Sequence, residues 1–153
     1  MLTRKTHFVC LSAFLLLTAA AFAEKIPYAQ TKIVPPTPKW IASVEKNAPA
    51  KPTVAAQKRR LLVFSLRTGY DHLVIPHVNE VFRILGDKSD AFDVDITVDI
   101  EKLSAESLAA YDVLTLNNNC SKGLRRNLLL DEMEANPKYA DLTEEQRQTR
   151  AQE

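Results

Sequence analysis

Cysteine and glycine are nearly missing from this chain, and charge of neither sign dominates it. Among 153 residues there are two cysteines, Cys10 and Cys120, and three glycines. The formal net charge is +1, and no basic face or aromatic-interleaved basic stripe stands out, which argues against a nucleic-acid binder. Neither an HExxH pattern nor paired-cysteine spacing occurs, so the motifs that announce a metal centre are missing. No metal and no cofactor is therefore expected. The longest apolar run falls short of the roughly 20 residues that a membrane span needs. What remains, 46% hydrophobic and 25% charged residues, is the composition of a globular protein with length for one modest domain.

The first stretch, "MLTRKTHFVCLSAFLLLTAAAFAEK", has the layout of an export signal. Arg4 and Lys5 form the positive region, Phe8 to Ala20 the apolar core, and Ala21-Phe22-Ala23 a small-residue cleavage site. Cleavage is expected between Ala23 and Glu24, leaving no stable membrane anchor and a periplasmic or extracellular protein. Losing Arg4 and Lys5 moves the formal charge from +1 to −1. Cys10 leaves with the signal, so the mature chain holds Cys120 alone and cannot form an internal disulfide. Cys120 reads as a small residue at a strand end, since a nucleophilic thiol needs a base beside it.

The expected organisation is a signal peptide over 1–23, a Pro-rich linker over 24–58 and a folded region over 59–153. Pro27, Pro35, Pro36, Pro38, Pro49 and Pro52 punctuate the linker; proline fixes φ and removes donors, which predicts an extended segment. Trp40 and Ile41 are the residues that could dock it onto the domain or a partner.

Within the folded region "RRLLVFSL" is an apolar run suited to a buried strand, bounded by the polar loop "RTGYDH". Pro76 suits the first position of a helix, and Val78, Val81, Phe82 and Leu85 recur at i, i+3, i+4 and i+7 as its expected buried face. Gly86 is placed to end that helix as a left-handed cap. "AFDVDITVD" alternates apolar with polar residues, as in a strand with one wetter face at a sheet edge. Ser104 can cap a short helix, with Leu103 and Leu108 as a hydrophobic staple, before "YDVLTLNNN" makes a third strand. This alternation is the βαβ pattern of parallel pairing and right-handed crossovers, with the first strand in the middle.

Three strands do not complete such a sheet. After Cys120 a polar insertion with one apolar patch, Leu128 to Leu130, leads to "LTEEQRQTRAQE". There Thr143 and Gln146 form a capping box, but no apolar face follows. The chain reads as stopping within a domain.

In an open parallel sheet ligands bind beyond the carboxyl ends of the strands, where the strand order reverses. The Leu66 to Ile75 loop and the Asn117-Asn118-Asn119 run leave the first and third strands there. Gly69 permits a tight turn, backbone N–H groups at the helix start favour an anion or polar oxygen, and Arg67 adds charge. His72 can act as general acid or base; its plainer role is to pack the loop. His77 is expected on the solvated face of the helix, turned away from His72.

"LLVFSLRTGYDHLVIPHVNEVFRIL" followed by "FDVDITVDIEKLSAESLAAYDVLTLNN" resembles the opening half of the trehalose-utilisation (ThuA-like) family, over roughly Arg59 to Asn119. Its members start with a strand, a Gly-aromatic-basic-His loop and a helix; here the loop is Gly69, Tyr70, Asp71 and His72, with an acid in place of the basic residue. The resemblance implies an α/β class I glutamine amidotransferase-like fold, that is, a partial flavodoxin-like three-layer sandwich whose C-terminal half is missing. It also implies a link to bacterial carbohydrate metabolism. His72 matches the family's early histidine, while the glycine-rich strand and loop with a further histidine, which normally follow, do not occur.

Two functions of different kinds follow. One is an exported ThuA-like domain acting on or binding a sugar-derived small molecule, with His72 as the catalytic candidate. Arg67, Thr68, Gly69, Tyr70, Asn117 and Asn118 are its ligand-binding candidates, and half of that crevice would be missing. The other is a non-enzymatic interaction module whose open sheet is completed by a partner chain, since a bare edge is an aggregation liability.

Overall fold

The computed structural model describes residues 33–51 and 57–152. The expected export signal and its cleavage point lie outside these residues, as does the start of the linker. Over the described residues the chain is α/β, with three parallel strands in the order β2-β1-β3. The strands are β1 (Arg59–Phe64), β2 (Phe92–Thr97) and β3 (Val113–Leu116). The first strand is central, as expected, pairing with β2 from Arg59↔Phe92 to Phe64↔Thr97 and with β3 from Leu61↔Val113 to Phe64↔Leu116.

Leu61, Leu62, Val63 and Phe64 are all buried, which is why β1 reads as an unbroken apolar run rather than an alternation. Strand β2 alternates because it is an edge, with Asp93 and Asp95 exposed. Asp93 pairs with Lys58 at 2.8 Å, and Asp95 accepts from the Tyr111 hydroxyl at 2.7 Å.

Helix α2 (Ile75–Ser89) carries Pro76 in its first turn. It runs past Gly86 and stops at Asp90, which takes the left-handed conformation that the sequence assigns to Gly86. Gly86 instead lets the helix approach β2: an added Cβ would stand 2.8 Å from the Phe92 carbonyl oxygen. Its fully buried positions are Ile75, Ile84, Gly86 and Ser89. The expected face, Val78, Val81, Phe82 and Leu85, is only half-buried, because α2 serves two layers.

The second layer is α1 (Pro38–Asn47), a helix where the prolines suggest extended chain. Proline is tolerated at a helix start, and Thr37 caps this one by accepting from the Trp40 N–H. Trp40 docks against His77, ring centroids 4.9 Å apart and nearly perpendicular. The Lys88 ammonium donates to the Glu45 carbonyl at the other end of α1. His77 is thus held at the α1–α2 contact rather than on a solvated face.

A 3₁₀ turn (Ile100–Leu103) and α3 (Ala105–Leu108) connect β2 to β3, with Ser104 capping α3. The apolar patch after Cys120 folds into α4 (Leu128–Ala135), capped by Asn127. A second 3₁₀ turn (Pro137–Tyr139) leads to α5 (Glu144–Arg150), whose capping box forms through both Thr143 and Gln146. Leu130, Met133 and Tyr139 make a small core there, joined by Ile100, Leu129, Leu142 and Ala151.

Candidate functional site

The loops that leave β1 and β3 do not stand apart around a crevice. They continue the sheet: Arg67 bridges to Cys120 in parallel, and the Thr68 N–H donates to the Cys120 carbonyl at 2.9 Å. The Asn119 amide donates to the Leu66 carbonyl at 2.8 Å. Gly69 permits this closeness, since a Cβ there would lie 2.6 Å from the Ser121 carbonyl oxygen. Its hydrogen thus makes room for the protein's own backbone.

Asn117 is buried beneath the joined loops. Its amide donates to Asn79 Oδ1 at 2.8 Å and to the Ile75 carbonyl at 3.2 Å, and its Oδ1 accepts from Asn118 at 2.7 Å. Asn79 also accepts from the Ser65 hydroxyl at 2.8 Å. This network ties β1, β3 and the first turn of α2 together, so the donors and acceptors of Asn117 are spent on the scaffold.

Thr68 likewise turns inward, donating to Asp131 Oδ2 at 2.7 Å. Asp131, only 1% exposed, also accepts from the Lys122 N–H and from Arg125, each at 2.8 Å. Burial pushes its carboxyl up, but the hydrogen bonds from Thr68, Arg125 and the Lys122 backbone outweigh this and hold it below its ordinary range. Asp131 is an anchor of the loop that sequence reading missed, because an acid in the first turn of "LLLDEMEA" reads as a solvated helix residue. Asn79 and Ser65 were missed likewise; both sit in segments whose pattern speaks only of strand and helix.

The acid at position 71 has a structural consequence. Asp71 accepts from Arg67 Nε at 2.5 Å, four residues back, so the charge expected to draw an anion is already paired. The outward surface of the loop belongs to Tyr70, 45% exposed, and His72, whose rings meet edge to face with centroids 4.9 Å apart. Cys120 lies behind them: its Sγ accepts from the Tyr70 N–H at 3.1 Å and faces the Tyr70 carbonyl at 3.2 Å. Beside the loop is a depression of about 360 Å³, with Ser65, Arg67, Asn79 and Thr97 among its walls.

Of the predicted residues, Arg67, Tyr70 and His72 share this outer surface, whereas Thr68 and Asn117 are bound into the framework. Asn118, in a left-handed backbone conformation at φ 53°, donates its amide to Asn117. Among the described residues no cluster of three or more His, Cys, Asp or Glu is arranged to hold a metal ion. Set against known proteins, the chain matches no family model, no curated protein and no solved structure.

Proposed function

We propose that this protein is an exported ThuA-like domain that binds a sugar-derived small molecule on the Tyr70–His72 surface, with His72 as the group able to exchange a proton with it. The observation that carries this reading is the exposed aromatic ring set beside an imidazole, on a loop clamped at the carboxyl end of a parallel sheet. Sugar rings present apolar C–H faces and polar rims. An exposed ring offers a platform for the first and an imidazole a hydrogen-bonding partner for the second. Beside the same loop, the depression that Arg67 and Thr97 line has mainly apolar walls, with Ile75, Pro76, Ile96 and Val98 among them.

Titration calorimetry of the protein against mono- and disaccharides and sugar acids tests the reading. A saturable heat is expected with at least one sugar, and Tyr70→Ala should weaken it by about tenfold, equivalent to roughly 1.4 kcal/mol. Absence of binding across the panel, or binding unchanged in both Tyr70→Ala and His72→Ala, would overturn it. Export is tested separately by mass spectrometry of the secreted chain, which should begin at Glu24.

A further inference from the structure

Helix α5 is capped at its start but has no apolar face to bury, and yet it is held in place. Its flanks explain this: Leu142 before it and Ala151 after it pack on the core of Leu130, Met133 and Tyr139. Between those anchors, Glu145 with Thr149 and, beside them, Gln146 with Arg150 recur at i, i+4 along one side of the helix. That side lines a cavity of about 750 Å³. Across the cavity the wall is apolar, with Ile100 and Leu103 from the connection after β2 and Leu129 and Met133 from α4. The polar side cannot close on this wall without burying polar groups that lack partners. An occupant must therefore be apolar towards one wall and polar towards the other.

We propose that this cavity binds a small organic ammonium ion, an amine carried on a compact hydrocarbon body. The charges in its walls select the sign. Arg150 donates to Glu101 at 2.6 Å, and Glu101 also accepts from the Tyr139 hydroxyl at 2.8 Å. Gln146 is held in the capping box, where its side-chain oxygen accepts from the Thr143 N–H at 2.8 Å. The Thr149 hydroxyl donates to the Glu145 carbonyl. The neighbouring Glu144 serves the outer side of the helix, meeting Arg147 and Gln148. That leaves the Glu145 carboxylate, a charge in the walls that no hydrogen bond or ion pair among the described residues engages.

An anion entering here would meet two carboxylates with the Arg150 guanidinium already taken. An ammonium group finds Glu145 free, while its hydrocarbon lies against Leu103, Leu129 and Met133. The volume falls within the range of small-molecule sites, about 300–1,000 Å³. Glu145 is exposed, so its ion pair contributes modestly and the apolar wall supplies more of the affinity. The cavity shares no lining residue with the Tyr70–His72 surface, and the proposal does not depend on the sugar-binding reading.

Met133 is the only methionine besides Met1, so isotope-labelled methionine methyls let nuclear magnetic resonance of the full chain watch the apolar wall directly. Titration with hexylammonium should move the Met133 signal saturably, and hexanoate should leave it in place. Affinity should rise from butyl- to hexyl- to octylammonium, by up to about fourfold per methylene. Glu145→Gln should weaken hexylammonium binding by about fivefold, the scale of an exposed ion pair, with the circular dichroism unchanged. Glu144→Gln, on the outer side of the helix, should leave the affinity as it is. A Met133 signal that none of the amines moves overturns the proposal, and so does equal binding of hexanoate. Affinity unchanged in Glu145→Gln, or lost equally in Glu144→Gln, places the ammonium elsewhere and overturns it too.

Discussion

At the scale of single residues, the fold depends on polar groups in places where apolar ones are the rule. Asp131 is the clearest case, since its carboxylate serves a hydroxyl, a backbone N–H and a guanidinium at once. Asp131→Ala should cost roughly 3 kcal/mol or more in chemical denaturation, because it strips these donors of their acceptor inside the protein. Asp131→Asn, which keeps the shape and one acceptor, should cost less. Gly69→Ala should also destabilise, by about 1–3 kcal/mol, because the atom it would strike is the Ser121 backbone oxygen rather than a flexible side chain. Both changes should loosen the Tyr70–His72 surface, seen as faster amide exchange over 67–72. None of this could be read from the residues alone, since a buried aspartate and a solvated one are written with the same letter.

At the scale of elements, the clearest sequence signals were local. The capping box at Thr143 and Gln146 and the cap at Ser104 form as the spacing predicts, because a cap involves only residues three apart. The core-facing stripe of α2 was misread, because two apolar stripes lie on that helix and the pattern cannot say which faces the sheet. The decision came from α1, which the prolines hid. Trp40 is the only tryptophan, so its fluorescence reports the α1–α2 contact; His77→Leu should shift its emission while leaving the far-ultraviolet dichroism unchanged. The small core under α4 is equally testable. Met133→Ala should cost about 2–5 kcal/mol, with amide exchange rising first over α4 and α5 because Met133 anchors that cluster.

At the scale of the whole molecule, the sheet and the α4 cluster are joined through carboxylates. Thr68 meets Asp131, and Glu101 meets both Tyr139 and Arg150. The Tyr139 hydroxyl and Arg150 hold the Glu101 carboxyl below its ordinary range, Arg125 does the same for Glu134, and the Arg60 N–H with Arg59 for Asp112. A depressed carboxyl adds stability that is fully present above its unfolded value and is lost as pH falls through the folded one. Thermal stability should therefore hold near neutrality and decline below the ordinary carboxyl values of 3.8 to 4.5. Asp131→Asn should flatten the acid limb. The sequence by itself determined the βαβ order, the central place of β1 and the position of the His72 loop, because apolar periodicity and proline or glycine punctuation act over a few neighbouring residues. Only the tertiary structure decided that the two loops zip together, that Thr68 and Asn117 turn inward, that α1 covers α2 and that among the described residues β3 pairs with β1 alone. Those outcomes rest on contacts between residues some 40 to 60 positions apart, as in Thr68 with Asp131 or Trp40 with His77, and local pattern carries no record of them.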